Sequence, residues 1–146
     1  MTIQSGFPFT PTVGSNISGT GDTQNPDLPN WNPEFRGPVI LGIPERWFDA
    51  RAFLMPLPGT FGNIGRGQLT GPGLTNFDMS LFKKFVVDEK RTVQFRAEAF
   101  NIFNHTNFAS PNPVAFSGSN YSSSAGVITA TSTTSRQIQF ALKLLF

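Results

Sequence analysis

From Leu74 onward, apolar residues recur at every second position, the period of a strand with one side in apolar surroundings. The clearest run is Arg136–Phe146, where Ile138, Phe140, Leu142, Leu144 and Phe146 alternate with Gln137, Gln139, Ala141, Lys143 and Leu145. In Thr92–Asn101 one face carries Val93, Phe95, Ala97 and Ala99, and the other Gln94, Arg96, Glu98 and then Phe100. A helix competes for this run because Arg96-Ala-Glu-Ala has good helix propensity, but Val93 and Phe95 would then fall on opposite sides. In Leu74–Val87 the stripe is Phe77, Met79, Leu81, Lys83, Phe85 and Val87, set against Asp78, Ser80 and Lys84. Lys83 interrupts it. The pattern predicts an all-β chain of antiparallel strands over 74–87, 92–103 and 135–146.

Length and connection then separate two kinds of β protein. These runs span about 10 to 14 residues, whereas strands of soluble domains centre on about 5–6 and outer-membrane barrel strands need about 9–11. An apolar stripe opposite Gln, Arg, Glu, Ser and Lys suits a barrel wall with lipid on one side and a wet or plugged lumen on the other. Only Asp88-Glu-Lys-Arg91 separates the first two strands, while a Ser-, Thr-, Asn- and Gly-rich outer loop, 104–134, precedes the last. Val127–Thr131 within it is a candidate short extension. Barrels of the outer membrane pair tight periplasmic turns with long outer loops in this way. Parity adds a sharper demand: both stripes share a face only if the hairpin loop has an odd number of residues. Val87 should therefore oppose Arg91 or Val93, not Lys90. Lys83 is tolerable on the lipid side if its stem reaches headgroups near the periplasmic interface. The alternative is a soluble or surface-exposed all-β binding module, with the three strands packing their apolar face on the Pro/Gly-rich half.

That half, 1–73, reads as connection and as a loop-rich extracellular region of the barrel. Ten of the 12 prolines fall within it, so no helix or central strand runs far. Two apolar pieces, Val39–Ile43 and Ala52–Met55, are candidate strand stubs or loop anchors. The 14 glycines and 12 prolines, with an uneven apolar distribution, argue against one compact core. No run reaches the ~18 apolar residues of a membrane-spanning helix. Absence of Cys excludes a disulfide scaffold and thiolate metal sites. Eleven basic residues against nine acidic ones, scattered without a cluster, leave no nucleic-acid footprint. The opening Met1-Thr-Ile-Gln-Ser-Gly-Phe-Pro lacks a signal-peptide pattern. Because three strands cannot close a barrel, the chain is expected to be a C-terminal fragment.

No constellation for catalysis, a cofactor or a metal emerges. His105, the one histidine, has no cysteine or carboxylate cluster near it in sequence and is read as a turn cap. Gly65-Arg-Gly67 and Gly71-Pro-Gly73 precede a strand rather than a helix, which argues against a phosphate loop. Asp88 and Glu89 are adjacent in a turn, unlike the opposed carboxylates of acid–base chemistry. Arg96 and Glu98 are candidates for a luminal network or a plug contact. Trp31 and Trp47 are read as loop anchors ahead of ligand-contacting aromatics.

The stretch Gly62-Asn-Ile-Gly-Arg-Gly-Gln-Leu-Thr-Gly-Pro-Gly-Leu-Thr-Asn-Phe-Asp-Met-Ser-Leu-Phe-Lys-Lys-Phe85, followed by Gln94-Phe-Arg-Ala-Glu-Ala-Phe-Asn-Ile-Phe-Asn-His-Thr-Asn-Phe108, resembles the C-terminal end of TonB-dependent receptors. The likeness is to the large Oar-like type common in acidobacteria, which has a carboxypeptidase-regulatory-like N-terminal domain. Arg46-Trp-Phe-Asp-Ala-Arg-Ala-Phe53 is similar to that family's penultimate outer loop, and Gln137–Phe146 to its final strand, so the resemblance covers roughly residues 45 to 146. It implies a barrel of about 22 strands with a plug domain in its lumen. It also implies location in the outer membrane of a Gram-negative-type bacterium and import of a bulky solute driven by the TonB complex. Partners would be outer-membrane lipid, the barrel-assembly machinery, the remainder of the barrel and the plug, with TonB reached only through other segments. The chain would not transport alone. Ile138, Phe140, Leu142, Leu144 and Phe146 resemble the signal by which the assembly machinery recognises a last strand, since an aromatic end and an apolar stripe suit addition to a sheet edge.

Overall fold

The computed structural model describes residues 1–22 and 24–146. Its strands, in chain order, are β1 (Thr2–Gln4), β2 (Pro8–Phe9), β3 (Asn30–Trp31), β4 (Ile40–Ile43), β5 (Arg46–Phe48), β6 (Phe53–Leu54), β7 (Leu69–Thr70), β8 (Leu74–Asn76), β9 (Met79–Val86), β10 (Thr92–Phe100), β11 (Phe116–Ser117), β12 (Asn120–Tyr121) and β13 (Gln137–Leu145). Among the described residues the one helical element is a 3-10 turn, Ala50–Ala52, and no helix is long and apolar enough to cross a membrane. The architecture is all-β with antiparallel strand pairs.

Two compact units form. The first gathers Met1–Gln4, Leu74–Asn107 and Thr131–Phe146. Its centre is a three-stranded sheet in the order β13-β10-β9, beside a small pair of β1 with β8. The run expected as one strand over 74–87 is split at Phe77 and Asp78. There the Phe77 carbonyl accepts from the Ile102 amide at 2.9 Å, and the Asp78 carboxylate accepts from the Asn101 amide at 2.9 Å, so the backbone pairs with the segment after β10. The second strand ends at Phe100 rather than 103, because Asn101 takes a left-handed conformation (φ 49) that Asn tolerates better than most residues.

The second unit joins Ser5–Gly73 to Phe108–Ala130. The Pro-rich half is thus a folded body with a core, not plain connection. Val13, Phe48, Phe53, Ile64, Leu69, Ala115 and Phe116 are buried there. Phe9, Phe48, Phe53 and Trp31 form a chain of rings 5.2–5.9 Å apart. Strand pairs in this unit are short, as the prolines dictate, and pair segments distant in sequence: β2 with β7, β3 with β6. The two candidate stubs are real in shortened form, as β4 and β6. Val127–Thr131 forms no strand; its amides and carbonyls serve single bonds, such as Ile128 to the Pro44 carbonyl at 2.7 Å. Gly126 (φ 74) lies so close to the chain that a Cβ would come within 2.9 Å of the Trp47 and Phe48 nitrogens. Trp31 and Trp47 are anchors here: Trp47 donates its indole N–H to the Thr70 carbonyl at 2.8 Å.

Asp49 fastens the middle of this unit. Its carboxylate caps the 3-10 turn by accepting from the Arg51 amide at 3.0 Å and bridges the Arg46 and Arg51 guanidiniums, both at 2.6 Å. The Arg51 hydrogen bonds lead in holding its pKa down from 3.8 to about 2, against the opposing effect of burial. A depressed carboxylate stabilises the fold fully above its unfolded value and loses that contribution as pH falls through its folded one. Asp49→Ala is expected to cost about 1–2 kcal/mol, the scale of a lost cap with exposed bridges. Urea unfolding followed by Trp fluorescence checks this; the wild-type advantage should shrink between pH 4 and pH 2.

Candidate membrane interface

One turn sets the geometry of the three-stranded sheet. The Val87 amide donates to the Arg91 carbonyl at 2.9 Å, leaving Asp88-Glu89-Lys90 as a loop with an odd number of residues, and Val87 faces Arg91 as parity requires. The Asp88 carboxylate accepts from the Lys90 and Arg91 amides at 2.9 and 2.8 Å, fixing the bend. Above it Phe85 pairs with Val93, Lys83 with Phe95, Leu81 with Ala97 and Met79 with Ala99. On the other side of β10, Val93 pairs with Leu144, Phe95 with Leu142, Ala97 with Phe140 and Ala99 with Ile138. All three stripes therefore lie on one face, and it is uncovered: Phe140 is 71% exposed, Leu142 75% and Leu81 59%.

From Met79 to Val87 the strand rises about 27 Å, which at the ~45° tilt of barrel strands spans roughly 19 Å of depth. Beyond Met79, Phe77 and Phe103 pack edge to face with centroids 5.1 Å apart. Lys83 is the sole charge among the paired residues of this face. Its ammonium lies over the Phe85 ring, 5.9 Å from the centroid, and so leans toward the hairpin turn.

The opposite face is mixed and partly knitted. Glu98 accepts hydrogen bonds from Arg96 and from Gln139, and the Arg96 guanidinium also sits over the Phe82 ring at 5.2 Å. Phe82, Val86, Phe100 and Leu145 share this face, so it is less polar than the alternation alone implied.

The end of the sheet away from the turn is closed by side-chain amides. Buried Asn107 copies a strand residue: its Oδ1 accepts from the Thr75 amide at 2.7 Å and its Nδ2 donates to the Thr75 carbonyl at 3.0 Å and to Thr133 Oγ1 at 2.9 Å. Asn101 donates to the carbonyls of His105 and Thr134 at 3.0 and 3.1 Å and accepts from the His105 amide at 2.9 Å. Asn104, left-handed at φ 51, accepts from the Arg136 amide at 3.0 Å. These three residues tie the segments leading into β9, out of β10 and into β13. The capping expected of His105 is carried out by Asn101 instead; the His105 ring approaches Asn107 Oδ1 at 3.2 Å.

A family model described as an outer membrane beta barrel domain matches residues 1–139. The chain belongs to that family. No curated protein and no solved structure matches it. The barrel family places the protein in the outer membrane. Of the five last-strand residues singled out by sequence, Ile138, Phe140, Leu142 and Leu144 share the apolar stripe, while Phe146 follows β13, 96% exposed. The family match stops within β13, before Phe140.

Sequence reasoning missed Asn101, Asn107 and Asp78, although two of them stand in Asn101-Ile-Phe-Asn-His-Thr-Asn107. The signal available was density: three Asn in seven residues between a strand and a loop, where amide side chains replace backbone partners. Asn107→Ala leaves the Thr75 amide and carbonyl without partners and is expected to cost about 1–3 kcal/mol. Hydrogen exchange should show the Thr75 amide losing protection while β10 amides keep theirs.

Proposed function

We propose that the chain is the C-terminal part of the barrel of a TonB-dependent receptor of the Oar-like type, serving energy-coupled uptake of a bulky solute, with no catalytic role. The observation that carries this reading is the continuous apolar face of β9, β10 and β13 within the stretches that resemble that family. In this reading Asp88–Lys90 is the periplasmic turn, and 1–73 with the long loop 104–134 belongs to the extracellular side. The plug and the TonB complex would meet other segments of the receptor. A soluble module that buries the apolar face is disfavoured by the exposure of that face.

Strand polarity supports completion of the barrel by strands other than a second copy. β9 and β13 both run antiparallel to β10, so they run the same way. Joining β9 of one copy to β13 of another would make a parallel pair. Joining like edges about a two-fold would invert one copy in the membrane and put its short turn outside. An antiparallel wall therefore needs an odd number of further strands between β9 and β13, which one larger barrel supplies.

Ile138, Phe140, Leu142, Leu144 and Phe146 are proposed as the assembly signal. β13 has one edge paired with β10 and the other open, ready to add to an exposed sheet edge by backbone hydrogen bonds. Phe146→Ser is expected to lower the folded amount in the outer membrane several-fold without altering the sheet of the molecules that do assemble.

The membrane wall itself is tested by moving one charge across the strand. Phe140→Arg, opposite Ala97 on the apolar face, is expected to cost about 2–4 kcal/mol of folding in lipid vesicles, and Gln139→Arg, beside Glu98, under about 1 kcal/mol. Equal costs would contradict the wall. The receptor assignment further expects a plug domain and more alternating strands in the reading frame that runs into Met1; a promoter and ribosome site abutting Met1 would contradict it.

A further inference from the structure

The hairpin end of the sheet is basic. Lys83, Lys84 and Lys143 lie in the turn-proximal part of the strands, and Lys90 and Arg91 at the turn, against the acids Asp88 and Glu89. These cations divide between the two faces. Lys84 and Lys143 flank Gln94 on the inward face. Lys83, opposite Phe95, belongs to the apolar face, and Arg91, opposite Val87, lies at the turn.

Lys83 is the informative member. An ammonium in hydrocarbon is costly unless its stem carries it to the interface or it finds a partner. Among the described residues no carboxylate bridges Lys83. Its ammonium instead lies over Phe85, on the turn side of its own backbone position. Arg91 is held at 3.1 Å by Asp88, yet its side chain stays 63% exposed. The row of Phe85, Val93 and Leu144 offers apolar surface to acyl chains directly above.

We propose that Lys83, its ammonium reaching over Phe85 toward the turn, binds the phosphate of an anionic phospholipid in the leaflet at the hairpin end of the barrel wall. The inference rests on the membrane-wall reading and deepens it. Asp88 offsets part of the Arg91 charge, so Lys83 carries most of the selectivity. Its neighbour Lys84 has the same charge at the same depth and faces the other way, which makes it a matched control.

The test dilutes the full chain from urea into vesicles of phosphatidylcholine, alone or mixed with phosphatidylglycerol, and measures co-flotation. Wild type should prefer the phosphatidylglycerol vesicles. Lys83→Gln should reduce that preference about five-fold, the effect of one cation near a charged surface. Lys83→Arg should keep it, and Lys84→Gln should change it by less than about two-fold. Retention of each variant on pure phosphatidylcholine separates loss of the site from loss of the fold. Equal losses from Lys83→Gln and Lys84→Gln would mean general attraction to a charged surface and overturn the site. So would a wild-type chain that partitions equally into both vesicles. A wild-type chain that floats with neither overturns the site without bearing on the wall, which needs further strands to close, and that result is distinct from the other two.

Discussion

The parity of the turn at Asp88-Glu89-Lys90 governs the sheet, because side chains alternate with a strict period of two. With Val87 set against Arg91, the stripes of β9 and β10 share one face; a loop shorter or longer by one residue would turn one of them inward. Met79, Leu81, Lys83, Phe85 and Val87 would then change places with Ser80, Phe82, Lys84 and Val86, so that the apolar face would lose the equivalent of Met79 and Leu81 and gain a serine, with Lys84 in the place of Lys83. At roughly 25 cal/mol per Å² of apolar surface, two side chains of this size outweigh the turn's own hydrogen bonds. The Asp88 carboxylate, which accepts from two amides of the loop, makes the required bend locally favourable as well. Local turn chemistry and the demand of the lipid surface agree.

The same register makes the apolar face and the face opposite it unequal in kind. The apolar side gains by uniformity, and its one paired charge, Lys83, leans toward the hairpin turn. On the opposite face the side chains answer one another: Glu98 is met by Arg96 and Gln139, and the Arg96 guanidinium covers Phe82. A polar side chain there has partners from adjacent strands, which stiffens the wall across the direction of the backbone ladder. At the far end, amides of Asn101, Asn104 and Asn107 replace regular pairing where the strands stop. The sheet is thereby closed at one end by a turn and at the other by side chains.

What could be read in the residues follows the range of the interactions. Alternation in β10 and β13 is local, and so is the parity of a short turn, so the strands, their shared face and the odd loop were legible before any coordinates. The split of Leu74–Val87 was not, because Asp78 is drawn off by Asn101, a partner over twenty residues away. Asn107 was overlooked for the same reason: its partners, Thr75 and Thr133, lie far off on both sides. The Pro-rich half hid its core more thoroughly. Strands of two to four residues carry no period, and Phe48 and Phe53 are buried by segments that only folding brings together. Prolines at 11 and 29, read as interruptions, are among its most buried residues.

The central claim, that one side of this wall touches hydrocarbon, is tested most directly by spin labels placed one at a time along Gln137–Leu145 of the chain in lipid vesicles, using the absence of native cysteine. Collision rates with oxygen and with a water-soluble nickel chelate should alternate along the strand, oxygen leading at 138, 140, 142 and 144 and out of phase with the chelate. Rates without a two-residue period, or the chelate leading at those four positions, would contradict the account.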